Sequence, residues 1–289
     1  MRSSVLSTAL LLALFAGSAG AQTTVQISAS KDNTLYEDTS GGLSNGMGES
    51  LVAGKPFFAA IRRAVIAFDV TSIPAGSTIN SVALRLSVTR EPPDAPPVTA
   101  TLHTLLADWG EGASLDMGAG GAGALPEAND ATWIHRFFDA QLWDTQGGDF
   151  QADPSASASI PPGALAAVFS TNPDIEADVH HWINDPSTNF GWIIRIQETL
   201  DGSARRFASR ENTDPALRPV LEVTFTPPAA CPADFNNDGS VDPDDLGDYI
   251  NCYFSVPPCD RADFNSDGST DPDDLGDFIN IYFSSTSGC

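Results

Sequence analysis

The chain has 289 residues, with 14 basic side chains against 38 acidic ones and a net charge of −24. That balance excludes a nucleic-acid binder, whose phosphate contacts require lysine and arginine, and disfavours an anionic membrane surface. Past the first residues no apolar run approaches the roughly 18 residues of a membrane helix. At the start, Arg2 precedes an apolar run from Val5 to Phe15, and Ala19-Gly20-Ala21 offers the small-x-small pattern of a signal peptidase site. Residues 1–21 therefore read as a secretory signal peptide. The mature chain is expected to begin at Gln22 and to be secreted, extracellular and held near the cell surface.

From residue 22 to residue 226 the chain reads as mainly β. Val82 to Val88 alternate apolar with small or polar residues, so one face is buried and the other wet. Similar patterns occur in Val65 to Val70, Trp192 to Ile196 and Leu221 to Phe225. Turns rich in Gly, Pro and Asn between such strands fit a β-sandwich of the jelly-roll kind. One helix interrupts: after Asn172-Pro173 the residues Ile175, Val179, Trp182 and Ile183 share a face, and Asp185-Pro186 ends it. Between Asp108 and Pro162 no period is sustained, and a long excursion of this sort is usually functional or mobile. A short stiff linker, residues 227–230, leads into a different composition.

That last segment, 231–289, holds thirteen aspartates and one arginine, Arg261, so half of the net charge sits there. "DFNNDGSVDPDDLGDYI" from Asp234 returns as "DFNSDGSTDPDDLGDFI" from Asp263, differing only at Asn237/Ser266, Val241/Thr270 and Tyr249/Phe278. Carboxylates so dense repel one another unless a cation sits among them. Read as calcium loops, the repeats place Asp234, Asn236, Asp238, Ser240, Asp242 and Asp245 at alternate ligand positions, and Asp263, Asn265, Asp267, Ser269, Asp271 and Asp274 likewise. Gly239 and Gly268 fall at the sharp turn, and the serines would offer backbone carbonyls. Two calcium ions are expected. A helix follows each loop, with stripes Leu246, Tyr249, Ile250, Tyr253, Phe254 and Leu275, Phe278, Ile279, Tyr282, Phe283 that can pack on each other. All four cysteines lie here, and in an exported segment too small for a good core they read as two disulfides. Three pairings are possible; Cys231 with Cys289 and Cys252 with Cys259 is the favoured one.

Duplicated calcium loops with one exiting helix each, Asp at position twelve and a terminal Gly288-Cys289 resemble the GC-type dockerin domain of exported bacterial proteins. The resemblance covers 231–289 and implies docking to a cohesin-like partner on a scaffold or surface. At loop positions ten and eleven this chain has Pro243-Asp244 and Pro272-Asp273, where cellulosomal dockerins often carry small hydroxyls.

The larger region resembles the exported, non-catalytic DNRLRE β-sandwich domains, related to carbohydrate-binding modules of the alginate-binding type. The segments that carry this are "KDNTLYED" at Lys31, "SNGMGESLVAG" at Ser44, "RRAVIAFDVTSIPAGSTI" at Arg62, "WGEG" at Trp109, "NDATW" at Asn129, "GGDF" at Gly147, "NFGWII" at Asn189 and "RRFASRE" at Arg205. The resemblance implies a jelly roll and establishes no ligand.

For ligand binding, the expectation falls on Trp109, Trp133 and Trp143 with Asp108, Glu111 and Asp130. Indole faces stack on sugars while carboxylates accept hydroxyl hydrogen bonds; the competing role for these indoles is ordinary core. The "KDN" segment at Lys31 and the "GGDF" segment at Gly147 are also candidate places for a structural calcium. Arg62, Arg63, Arg205, Arg206 and Arg210 would recognise uronate or sulfate only if they converged on one face. Catalysis is the minority reading: no G-x-S-x-G, phosphate loop or dinucleotide fingerprint is present, and His180 and His181, adjacent on a helix, point in different directions. The reading is thus a polysaccharide-binding β domain anchored by a calcium-dependent tail. The alternatives are a surface protein that binds only protein, or a polysaccharide lyase or hydrolase.

Overall fold

Why the central strands form where they do is visible in their burial. In β4, Val82, Leu84 and Leu86 are buried while Arg85 between them is exposed, which is the period-two signature of a strand with one wet face. A computed structural model describes residues 21–57, 60–116, 121–228 and 231–285. The expected leader and the cleavage site before Gln22 lie outside these residues except for Ala21, as do Cys289 and half of the linker.

The strands are β1 (Thr23–Tyr36), β2 (Ser50–Ala53), β3 (Arg62–Phe68), β4 (Thr78–Arg90), β5 (Val98–Thr104), β6 (His135–Phe137), β7 (Gln141–Leu142), β8 (Ala156–Ile160), β9 (Ala166–Phe169), β10 (Trp192–Ile196), β11 (Arg205–Ala208) and β12 (Val220–Thr226). Ten of them form one sheet of order β2-β11-β4-β12-β1-β3-β10-β5-β8, with β9 branching onto β4, while β6 and β7 pair apart. All the pairings between strands are antiparallel.

Two long strands carry the sheet round on itself. β1 pairs with β12 through Thr23–Ser28 and with β3 from Ala29 onward, the β3 pairing shifting register between Ala29 and Lys31. β4 likewise serves β12, β9 and, at its far end, β11. As a result β2, at one end of the hydrogen-bonded path, packs on β3 and β10, and β8 packs on β9. The space enclosed is filled by Phe68, Leu84, Phe169, Trp192, Phe207, Val223 and their neighbours. Trp182 and Trp192 meet with ring centroids 4.6 Å apart.

The first helix, α1 (Pro173–Asn184), supplies Ile175, Val179, Trp182 and Ile183 to that core. Asn172 caps it by accepting from the amides of Asp174 and Ile175, and Pro173 needs no donor at the first position. The opposite face of β3 and β10 is also covered: Val65 and Ile193 join Leu35, Leu105, Trp109, Trp133 and Trp143 in a second core. The irregular stretch after β5 is therefore the lid of this second core.

Two further helices, α2 (Pro243–Tyr253) and α3 (Pro272–Ser285), belong to the acidic repeats. Their seam is Tyr249 stacked on Phe278, centroids 3.9 Å apart and planes 9° from parallel. Phe235 and Phe264, from the loops, meet this pair edge-on. The seam is narrower than the sequence stripes suggested, since Phe254 and Phe283 are each 67 % exposed and Ile250 faces solvent. Loop phenylalanines have taken the places that the sequence assigned to the outer stripe residues. Cys252 and Cys259 form a disulfide across the turn between repeats, with Cα atoms 5.2 Å apart. Cys231 is also disulfide-bonded, and the partner favoured for it, Cys289, lies outside the described residues. Among the described residues no helix is long and apolar enough to cross a membrane.

Candidate functional site

Each acidic loop is organised by its own carboxylates. Asp234 accepts from the amides of Asp238 and Gly239 at 3.0 Å each, and Asp263 does the same for Asp267 and Gly268 at 3.0 and 2.9 Å. Asn236 and Asn265 accept from Asp238 and Asp267, and these accept in turn from Ser240 and Ser269. Such side-chain-to-amide bonds wind short segments into turns. The glycines at the tightest point have φ of +92° and +95°, a region that L side chains avoid.

The twelfth residue closes each loop. Asp245 and Asp274 are fully buried, and each accepts from the third residue of its loop (Asn236 at 3.0 Å, Asn265 at 3.1 Å) and from the ninth (Asp242 at 2.9 Å, Asp271 at 2.8 Å). In return Asp242 and Asp271 accept from Asp244 and Asp273 at the helix starts, a reciprocal capping arrangement with Pro at the first helical position. Backbone amides hold the Asp274 carboxyl below the ordinary carboxylate range. The residues predicted as ligands are thus brought onto two like-wound loops. The side-chain oxygens they bring together, carboxylate and amide, are of the type that suits a hard cation. Arg261, the segment's lone base, lies over the Phe235 ring at 4.3 Å and donates to the Phe235 carbonyl.

The predicted ligand residues of the β region fall elsewhere. Trp109, Trp133 and Trp143 are 1 %, 7 % and 5 % exposed. Trp109 and Trp143 spend their indole N–H groups on the carbonyls of Phe190 and Thr132, at 2.9 and 3.0 Å. Arg63 covers Trp133 at 4.7 Å. A sugar platform needs an open ring face, so the expectation of stacking at these tryptophans is corrected: they build the second core. Asp108 pairs with Lys31 at 2.6 Å. Asp130 is buried, accepts from the Glu127 amide at 2.6 Å, and is pushed up in pKa by that burial.

Glu111 grips Arg210 through both oxygens at 2.6 Å and also accepts from the Asp32 amide at 2.7 Å. Glu211 adds a contact to Arg210 at 2.8 Å. Oxygens of Asp32, Glu111 and Glu211 lie within 4.8 Å of one another; among the described residues the carboxylates of the two loops form no group that tight. Burial, reinforced by the charge of Glu211, pushes the Asp32 carboxyl well above its ordinary value, and burial with Glu111 pushes Glu211 up to about 7. Sequence reasoning named Glu111 for sugar binding and "KDN", which contains Asp32, for a structural calcium, and missed Glu211. The available signal was that "KDN", "WGEG" and "ASRE" each carry an acid beside small or turn-forming residues.

The arginines do not converge as a set. Arg62 is buried over Tyr36, Arg63 binds Glu198, and Arg210 is taken by the acids. Arg205 and Arg206, however, line an open groove of about 760 Å³ together with Arg90, Phe57 and the Pro92-Pro93 turn. Arg205 is fully buried, 3.6 Å from Glu91. Burial and the nearby Arg90 lower the Arg206 pKa, so an anion entering the groove would meet a partly desolvated guanidinium.

No protein-family model matches this chain, and no curated protein matches it.

Proposed function

We propose that this is an exported, non-catalytic modular protein whose β domain, a jelly roll of the DNRLRE kind, binds polysaccharide. A dockerin-like tail carrying two calcium ions anchors it to a cohesin-like or cell-surface scaffold. The observation that carries this reading is the equivalence of the two loops, which repeat the same amide-to-carboxylate bonds, the same buried twelfth aspartate and the same positive-φ glycine. An acidic stretch kept only for solubility has no need of such repetition. Phe254 and Phe283, one repeat apart and both exposed, suit the tail to a partner, since large aromatics anchor interfaces.

For the glycan, support shifts from the tryptophans to the groove. Arg90 and Arg206 offer planar, bidentate donors suited to carboxylate or sulfate, and Phe57 offers an apolar wall. The sugar class this favours is an acidic polysaccharide.

The test uses the full oxidised chain. Calorimetric titration should show calcium uptake that a double Asp234→Ala, Asp263→Ala variant loses at two sites. Capture of a cell-surface scaffold protein should require calcium and vanish with chelator. On arrays of polysaccharides the chain should retain uronate-rich or sulfated glycans, and Arg206→Ala should weaken that retention. Uptake unchanged by the double variant would sink the anchoring role; indifference to Arg206 would sink the groove.

A further inference from the structure

Three distant parts of the β region meet at one buried point that neither the loops nor the groove explains. β1 brings Asp32, the stretch after β5 brings Glu111, and the turn after β11 brings Glu211. Asp32 is 1 % exposed, and the oxygens of the three acids lie within 4.8 Å of one another. Asp32 Oδ2 accepts from the Arg210 amide at 2.7 Å. Both oxygens of Glu111 accept from the Arg210 guanidinium, and Glu211 Oε1 lies 2.8 Å from Arg210 Nε. Asp32 Oδ1 and Glu211 Oε2 are left buried without a hydrogen-bond partner.

Buried acceptors of this kind are normally satisfied, and one guanidinium cannot neutralise three carboxylates taken out of water. A doubly charged cation supplies both missing terms. It would be a partner for the two orphan oxygens, and it would bring three carboxylates and one guanidinium to neutrality.

We propose that Asp32, Glu111 and Glu211 bind a divalent cation, with Asp32 Oδ1 and Glu211 Oε2 as its free ligand atoms and Arg210 as the group that orients Glu111. An all-carboxylate oxygen set selects a hard ion, calcium before zinc or copper. Bound there, the ion ties the first strand, the lid of the second core and the β11 turn into one unit. This site is independent of the tail.

Every tryptophan precedes residue 193, and the tail has none, which gives a selective probe. Terbium replacing calcium beside Glu111 would be sensitised by Trp109, two residues away, under light that excites indole but not phenol. The full chain should show this emission, calcium should displace it, and Asp234→Ala with Asp263→Ala should leave it intact. Glu211→Gln keeps the side chain's size and should weaken terbium binding by more than about tenfold, the scale seen even when groups that merely support a ligand are lost. Calcium bound per chain should also fall by one ion. Emission unchanged in Glu211→Gln, with unchanged calcium stoichiometry, overturns the proposal and leaves a proton shared among the acids as the neutralising species. If only the tail reading fails, the double tail variant leaves the stoichiometry unchanged while Glu211→Gln still lowers it. Should Glu211→Gln misfold, crystals of the unaltered chain grown with manganese decide the matter. An anomalous peak between Asp32 and Glu211 supports the site, and its absence overturns it.

Discussion

The β region and the acidic tail solve the problem of burial in opposite ways. Around β3 and β10 the chain buries apolar side chains on both faces, with Phe68, Trp192 and Ile194 toward one core and Val65 and Ile193 toward the other. Among the described residues the tail gathers a core of seven buried residues, centred on Tyr249 and Phe278, and surrounds it with carboxylates. A core that small seldom stabilises a domain by itself. The comparison implies that the sheet is held by packing, whereas the tail needs support from its disulfide bonding and, in the function proposed above, from two cations. If the tail carries the two calcium ions proposed, stripping calcium is the most disruptive treatment. Each ion at a thousandfold its Kd stabilises by about 4 kcal/mol, so chelator should melt the tail's helical signal while the sheet's unfolding transition survives. Calorimetric scans of the full chain with and without chelator check this, and a tail that melts at the same temperature in both would break the contrast.

The reverse experiment strikes the sheet and spares the tail. Trp192 is fully buried between Trp182 and Phe68, at centroid distances of 4.6 and 6.2 Å. Trp192→Ala should cost about 3–5 kcal/mol, the range for large aromatics truncated in a core. Denaturant unfolding followed by indole fluorescence should show it, with calcium uptake by the tail unchanged.

This contrast also explains which parts of the structure could be read in advance. β4 alternates because one of its faces is wet, and α1 declares itself through Asn172-Pro173 and a one-sided stripe. The tail was legible for a similar reason, since local spacing within twelve residues defines each loop. The second core was legible only as the competing role of its tryptophans: an indole that covers a sheet and one displayed to a sugar look alike in sequence, and the packing of Trp109 and Trp143 with Leu35 and Ile193 tells them apart. Contacts between residues far apart in the chain hid the rest. Asp32, Glu111 and Glu211 come together only because β1, the stretch after β5 and β11 converge, and Arg90 joins Arg206 only through strand pairing.

A smaller effect separates packing from charge within the sheet. Burial raises the Glu198 carboxyl, but hydrogen bonds from Arg195 and Arg63, with their charges, overcome it and hold the pKa at about 2 against an ordinary 4.5. The distances are 2.7 Å to Arg63 and 2.8 Å to Arg195. A carboxyl depressed on folding stabilises fully above its unfolded value and loses that contribution as pH falls toward the folded one. Glu198→Gln should therefore cost about 2 kcal/mol near neutral pH. The gap from the unaltered protein should narrow as pH drops from about 4.5 toward 2. Denaturation midpoints for both proteins across that range check it, and a gap that stays constant would mean that the glutamate acts through packing alone.

The finest test lies inside one tail loop. Gly239 has φ +92° with open space where a Cβ would go, and Gly268 has φ +95° in the same setting. Alanine at position 239 would meet no neighbour, so its only cost is the backbone conformation, about 1 kcal/mol. If the loop keeps this turn when it binds calcium, that cost appears as roughly fivefold weaker binding at the first site. The second loop, with Gly268 unaltered, serves as an internal reference in the same titration. Gly268→Ala should shift the second site instead and by a similar factor, because the two glycines have the same surroundings. Equal weakening of both sites by either substitution would show that the loops respond jointly through the Tyr249–Phe278 seam, and no weakening would show that the turn relaxes on binding. Either result would still concern the tail alone, since no glycine of the sheet lies in these loops and the buried acids around Asp32 have no part in their turns.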